Sequence, residues 1–547
     1  MFQVCKYLFP MVLAGSLLPA QPLRTAEGVT GSLVTANALA RHLGDTDVVI
    51  LDASPAQVYA AKHIPGALSV DLFTFGLPDA SAVEMEKRFQ SWGISSGKTV
   101  VMYDQGGSMM ATRVLFSLLY YGFPAKDLFV LDGGLAKWQE LGLPIARNLT
   151  PVPKPGSFRI GKLNEGVKAN LPDVLNASGD PVNNVLVEAL GADWHFGQVR
   201  VFNRAGHIPR GILLPSTDFY NPDKTFKPAA EIRRMLTYYG IRPEQRIYTY
   251  CGGGVAASVP FFALKFILNY PNVKLYVGSE LDWLSDEREL PYWTYDAPYL
   301  IRESDWLQFW SGRMPRAMGI THVSVVDVRP AGAFNQGHVP FALNIPADKF
   351  QSNLRTPAKL AGILGPAGVH AADEAVVVSD GGLTRASALA FVMLQKMGQR
   401  KVSVFMDSME KWTRLGHTLT KDPTAVGAKK GPQDVSIPPT SYPADFREGV
   451  VIADPNASQG VYPKVYVASG EKLPSHAPDG KMIHVPFTEL LNPDGTPKAA
   501  KDVWNILTKA GVPRYAELVC VSDDPGEAAI NYFVLLLMGY PNVKVLV

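Results

Sequence analysis

Among 547 residues, the group best placed for covalent chemistry is a cysteine in the stretch Ile247-Tyr248-Thr249-Tyr250-Cys251-Gly252-Gly253-Gly254-Val255-Ala256-Ala257. A run of β-favouring residues ends at Cys251, three glycines follow, and the apolar segment Ser258 to Leu268 reads as a helix. A side chain at such a joint faces backbone N–H groups and a helix N-terminus, whose partial positive charges stabilise an anion. That setting favours a thiolate, the reactive form of cysteine. Glycine carries no Cβ and tolerates φ > 0, so the loop can curl with its amides inward. The spacing therefore predicts a nucleophile at Cys251, with the amides of Gly252, Gly253, Gly254, Val255 and Ala256 as its anion cradle.

Such a loop must be positioned by something larger. A chain of this length exceeds one core, and at about 100–200 residues per domain it divides into several. Apolar content of 47% and charged content of 19% are those of a globular protein, and a net charge of +2 offers no footprint for nucleic acid. Lys6, the apolar run Tyr7 to Leu18 and Pro19-Ala20-Gln21-Pro22 read as a secretory signal peptide, taken as residues 1–26. The expected location is periplasmic or secreted, with no membrane insertion after cleavage, because no other segment is long and apolar enough to span a bilayer. Cys5 would leave with the signal, and the remaining Cys251 and Cys520 cannot form a disulfide framework. No C-x-x-C or Cys/His cluster suggests zinc, so no metal is expected. Cys520 sits inside an apolar strand and reads as a buried small hydrophobe.

One phrase recurs along the chain: Lys62-His63-Ile64-Pro65-Gly66-Ala67, Gly206-His207-Ile208-Pro209-Arg210-Gly211 and Gly337-His338-Val339-Pro340-Phe341-Ala342, with a worn fourth copy at Ser475-His476-Ala477-Pro478. Each is read as following a strand that ends in an acid, at Asp52, Glu188, Asp327 and Asp454. Each precedes a second strand and loop, at Tyr103-Asp104-Gln105-Gly106-Gly107, at Cys251, at Ser379-Asp380-Gly381-Gly382 and at Ser522-Asp523-Asp524-Pro525. Four repeats follow, at 28–148, 160–296, 303–420 and 444–547. Short apolar strands alternating with helical segments make each an α/β domain, a parallel sheet with helices on both faces. A loop at the carboxyl end of a strand is the usual ligand position in such sheets.

Together with Leu131-Asp132-Gly133-Gly134-Leu135-Ala136-Lys137-Trp138, these elements resemble the rhodanese (thiosulfate sulfurtransferase) family over essentially the whole chain after the signal. The resemblance implies four rhodanese-like domains and a sulfurtransferase that moves sulfane sulfur from thiosulfate or a similar small donor to cyanide, a thiol or a protein acceptor, through a Cys251 persulfide. No cofactor is implied, since the cysteine is itself the carrier. Aligning the loops places Asp104, Asp380 and Asp523 at the Cys251 position, which makes those three repeats inactive. The family often has an arginine two residues after the strand-end acid, where this chain has Leu190, so charge for an anionic donor would come from Arg200 or Arg204, or less directly from Arg210. With no cation in the loop, 3-mercaptopyruvate is the alternative donor, and a non-turnover carrier of sulfane sulfur or selenium is the alternative function. Phosphate-ester hydrolysis at a cysteine loop needs an arginine six residues on, and that residue is Ala257. The His-x-Pro histidines recur in copies without a cysteine, which marks them as structural.

Overall fold

Strands such as Thr99–Tyr103, Glu374–Val378 and Glu517–Val521 are buried at every residue, as the four-residue apolar run after the first residue of each requires of inner strands in a parallel sheet covered on both faces. The computed structural model describes residues 22–547 apart from 73–79, 201–203, 429, 432–433, 457–459 and 477. Most of the expected signal segment lies outside the described residues. Its expected end at residue 26 overlaps the fold, because Leu23 is buried in the first core beside Leu39 and Trp138.

Among the described residues four sheets form, with strands lying within Val29–Leu131, Lys168–Tyr276, Ile301–Phe405 and Val451–Leu546; the third begins with the edge strand Ile301–Arg302, ahead of the expected start of its repeat at residue 303. In each, the strand leading into the candidate loop is central, paired in parallel with the strand before the His-x-Pro turn on one side and with a later strand on the other. The chain forms two compact units. One runs to Lys168 and takes in Thr217–Lys227 and Phe262–Asn269; the other contains Ala169–Ser216, Pro228–Phe261 and Tyr270–Val547. In the second unit, repeats three and four share a continuous core. Helices Arg385–Lys396 and Pro525–Leu537 form its seam, with Phe391 and Phe533 edge to face at 4.9 Å and Tyr532 donating to Gln395 Oε1 at 2.6 Å.

The first three His-x-Pro turns are built alike. His63 and His338 give Nδ1–H to the carbonyls of Tyr59 and Phe334, and each imidazole stacks on that residue's ring. Their backbones bridge to the end of the repeat, at Ala146 and Thr420, and His207 bridges likewise to Trp293. These buried histidines staple a turn to a tail. His476 is exposed and bonds to Ser475 Oγ instead, so the fourth copy lacks the device.

Register corrects two readings in the later repeats. One hydrogen bond recurs four times: Ala53 N–H to Tyr103 O, Ala189 N–H to Tyr250 O, Val328 N–H to Val378 O and Ser469 N–H to Val521 O, all at 2.8–2.9 Å. The residues immediately after those acceptors are Asp104, Cys251, Ser379 and Ser522. Ser379 and Ser522, rather than Asp380 and Asp523, therefore occupy the Cys251 position. The glycines agree, since Gly107, Gly254 and Gly382 each lie three residues beyond that position with positive φ. In repeat four, Val451–Ile452 is an edge strand paired with Val543–Leu546, and Lys464–Ala468 takes the place expected for the strand ending at Asp454. That place carries no strand-end acid.

Candidate active site

Cys251 follows directly on the central strand Arg246–Tyr250 and is buried, with 2% of its surface exposed. Gly254 N–H donates to its Sγ at 3.1 Å. Gly254 adopts φ +80°, and a Cβ there would sit 2.6 Å from the Val277 carbonyl oxygen, so the turn that aims this amide admits only glycine. Gly253 has open space around it and ordinary φ, which separates its role from that of Gly254. The five-amide cradle is thus realised at the thiol by one amide. Among the described residues, the N–H groups of Gly252, Gly253, Val255 and Ala256 have no acceptor. The helix expected over Ser258 to Leu268 is α-helical only from Ser258 to Phe262 and continues as a π turn over Ala263–Ile267.

The loop is clamped from the side by the segment after the next strand. Glu280 N–H donates to Cys251 O and Leu281 N–H to Gly252 O, both at 2.9 Å, and Ser279 Oγ accepts from Cys251 N–H at 3.1 Å. Ser279 Oγ lies 4.0 Å from Sγ, but its own proton goes to Tyr276 O at 2.7 Å. The same clamp exists in repeat one, where Leu135 N–H donates to Asp104 O and Ala136 N–H to Gln105 O. Ser279 and Glu280 therefore stand where repeat one has Gly134 and Leu135. Ser279 holds φ +52° at a position that is Gly134 with φ +53°, an unfavourable backbone for serine that its bond to the cysteine amide accompanies.

Glu280 is the first link of a buried chain that leads away from Cys251. Burial, then the charge of Glu188, a hydrogen bond to Glu188 and the proximity of Cys251 push its carboxyl far above the usual carboxylate range. A neutral Glu280 shares its proton with Glu188, the strand-end acid, and places no second negative charge beside Cys251. Glu188 Oε2 also accepts from Tyr250 O–H at 3.2 Å and from His195 Nδ1–H at 2.5 Å. His195 Nε2–H donates to Asp296 Oδ1 at 2.7 Å. Burial alone would lower His195, but the Asp296 and Glu188 carboxylates on its two ring nitrogens outweigh it and raise it to about 9. His207 gives Nδ1–H to His195 O, and burial and the neighbouring imidazolium push it down to about 4. His195 and His207 stack at 3.6 Å with rings 3° from parallel, so His195 takes the place that Tyr59 and Phe334 hold against their histidines.

Glu188, His195 and His207 bring ligand-type atoms within 4.8 Å of one another. Parallel rings direct their nitrogen lone pairs side by side rather than toward one point, and both His195 nitrogens already serve carboxylates. Within the cluster, hydrogen bonds thus engage both His195 nitrogens and Glu188 Oε2.

The other candidate residues are placed as follows. Arg204 sends Nη1–H to Leu290 O at 2.7 Å and Nη2–H to Leu284 O at 3.4 Å, beneath the Tyr292 ring, and makes no hydrogen bond to the Cys251 loop. Arg200 is exposed, and among the described residues nothing pairs with it. Asp104 is buried, with Oδ1 accepting from Gly106 N–H and Oδ2 from Met110 and Ala111 N–H at 2.9–3.1 Å. It is the carboxylate version of an amide nest. Asp380 is 74% exposed and 3.8 Å from Arg329, and Asp523 accepts from Ser475. At the true positions, Ser379 is buried with no partner for its Oγ among the described residues, and Ser522 donates to Glu527. Cys520 is fully buried in its strand, and burial pushes its thiol up.

Sequence reasoning missed Glu280, Ser279, His195 and Asp296. One signal was available: aligning Gly278-Ser279-Glu280-Leu281-Asp282-Trp283 with Gly133-Gly134-Leu135-Ala136-Lys137-Trp138 sets an acid against a leucine.

A family model described as Rhodanese-like domain matches residues 35–141 and 314–415, in repeats one and three. The chain is 31% identical over 267 residues to the sulfur carrier protein TtuD of Thermus thermophilus, an alignment covering 46% of this chain and 93% of that protein. It is 30% identical to the 3-mercaptopyruvate sulfurtransferase of Escherichia coli, over 46% of this chain and 94% of the relative. It is 27% identical to thiosulfate/3-mercaptopyruvate sulfurtransferase 2 of Arabidopsis thaliana, over 48% and 85% respectively.

Proposed function

The chain belongs to the rhodanese-like sulfurtransferase family, and from that premise we propose that it transfers sulfane sulfur through a persulfide on Cys251. The observation that carries this reading is the Gly254 amide on Sγ in a loop whose neighbouring amides have no acceptor of their own. The Cys251 thiolate attacks the outer sulfur of thiosulfate, the S–S bond breaks, and its electron pair leaves with sulfite. The persulfide so formed carries its charge on the terminal sulfur, where unpaired loop amides can receive it as an oxyanion hole receives developing charge. Cyanide or a thiolate then attacks that sulfur and returns the thiolate. Ser279 holds the loop, and the proton between Glu280 and Glu188 keeps the wall of the site from repelling a second anion.

One observation favours 3-mercaptopyruvate as a second donor. Among the described residues no cation contacts the loop, and Arg204 is engaged with backbone carbonyls, so a dianionic donor gains little from side chains here. Purified protein with cyanide and either donor separates the two readings by the ratio of thiocyanate formed. Stoichiometric persulfide on Cys251 by mass spectrometry, with no turnover on cyanide or small thiols, would instead establish a carrier. The basic-apolar N-terminal run supports export, which N-terminal sequencing of the mature protein tests.

A further inference from the structure

A cavity of about 690 Å³ lies away from the Cys251 loop, none of whose residues line it. Its wall carries six cationic side chains, Arg210, Arg302, Arg400, Lys401, Arg447 and Arg514, against two carboxylates, Asp296 and Glu374. Both acids are already matched. Asp296 accepts from the His195 imidazolium, and Glu374 receives two hydrogen bonds from Arg302, at 2.7 and 3.2 Å, and a third from Ser403. Among the described residues, Arg210, Arg400, Lys401 and Arg447 meet no carboxylate. Arg447 reaches only the Gln399 carbonyl. A lone surface arginine is ordinarily just solvated. Three arginines and a lysine arising from three separate segments and converging on one concavity set up a local positive field.

Aromatic surface lies in the same wall. Trp504 stacks on Phe196 with ring centres 5.2 Å apart, and Trp293 lies 6.2 Å from the half-exposed Tyr299. A volume of several hundred cubic ångströms suits a small organic ligand, and flat apolar walls with a few convergent charges fix both its ring and its polar end. Arginine recognises phosphoryl and carboxylate oxygens in a planar, bidentate manner.

We propose that this cavity is a binding site for a planar aromatic compound carrying two or more negative charges, of the aryl phosphate or mononucleotide class. The ring lies against Trp293, Tyr299 or Trp504, and the anionic group faces Arg400, Lys401 and Arg447. The site is separate from sulfur transfer and does not depend on which donor Cys251 uses.

Calorimetric titration of the full chain with phenyl phosphate, adenosine 5′-monophosphate and inorganic phosphate tests this. Both aromatic probes, or one of them, should bind more tightly than inorganic phosphate; tighter binding of the nucleotide than of phenyl phosphate assigns the mononucleotide class, and the reverse assigns the simple aryl phosphate. Exchanging Arg400→Glu together with Arg447→Glu, both exposed and outside the core, should weaken the bound probe by at least about tenfold, the scale of one charge-assisted hydrogen bond. Cys251→Ser should leave binding unchanged. Absence of binding by all three probes, equal affinity for the ring-bearing and inorganic phosphates, or loss of binding in Cys251→Ser would each overturn the proposal. Circular dichroism of the double variant guards against a folding loss, and Lys401→Glu alone supplies a second variant with the same expected direction.

Discussion

Repeats one and two carry the same loop on the same sheet, and they differ where chemistry would be done. Each places an anion-forming residue after a central strand, holds its carbonyl by a clamp from the next turn, and staples the edge with a buried histidine. In repeat one that residue is Asp104, held by three amides while burial raises its carboxyl above the ordinary range; Gly134 and Leu135 form the clamp, and Tyr59 stacks on the turn histidine. In repeat two the corresponding residues are Cys251, Ser279, Glu280 and His195. A scaffold that merely folds uses inert groups at those positions. The copy bearing the thiol replaces them with hydroxyl, carboxyl and imidazole on a buried path between Cys251 and Asp296, although buried polar groups cost stability unless fully satisfied.

The contrast is broken most severely by Cys251→Ser, which should lower sulfur transfer to cyanide by at least about a thousandfold, because the alkoxide form of serine is not available at neutral pH. Retained activity would mean that another residue carries the sulfur. Gly254→Ala should destabilise the protein by about 2–4 kcal/mol in urea denaturation, combining a left-handed φ with a clash on a carbonyl. Gly253→Ala should be nearly silent in the same measurement, since its Cβ would meet open space.

Two exchanges sharpen the comparison by importing repeat-one residues. Glu280→Leu removes the donor to Glu188 and should lower kcat about tenfold, with most of it restored in Glu280→Gln, whose amide still donates. Equal losses in both variants would show that the acid proton itself is used. His195 is tested by pH. Its folded value of about 9 lies above the ordinary 6.5, so the stabilisation it provides is complete below 6.5 and is lost as pH rises through 9. The wild-type urea midpoint should fall across that window, and His195→Gln should flatten the fall. The smallest effect is expected for Ser279→Gly, where relief of φ +52° offsets the lost bond to Cys251 N–H, leaving stability within about 1 kcal/mol while the Cys251 alkylation rate changes.

Most of the fold was legible because four copies of one pattern reinforce each other. Apolar strands, acid tips and His-Ile-Pro phrases predicted a parallel sheet in each of four repeats, and the sheets appear where the strands were placed in three of them. Repeat four misled because its turn phrase is degraded, and with it the only marker that separates its edge strand Val451–Ile452 from the inner strand Lys464–Ala468. The loop alignment failed by one residue at Asp380 and Asp523 for a related reason: a Ser-Asp pair after an apolar run looks the same whether the serine or the aspartate is the first residue beyond the strand. Hydrogen-bond partners decide that, and they are not local.

By itself the sequence determined that one loop alone among four carries a cysteine, and that strand, glycine turn and helix would present it at a sheet's carboxyl edge. Those are short-range matters of propensity and backbone sterics. Only the tertiary structure decided which amide meets Sγ, that Glu280 and Glu188 share a proton, and that His195 is a buried cation between two acids. Each of those depends on residues from separate strands and turns being desolvated together, and it is burial that converts ordinary surface-type residues into a coupled site around Cys251.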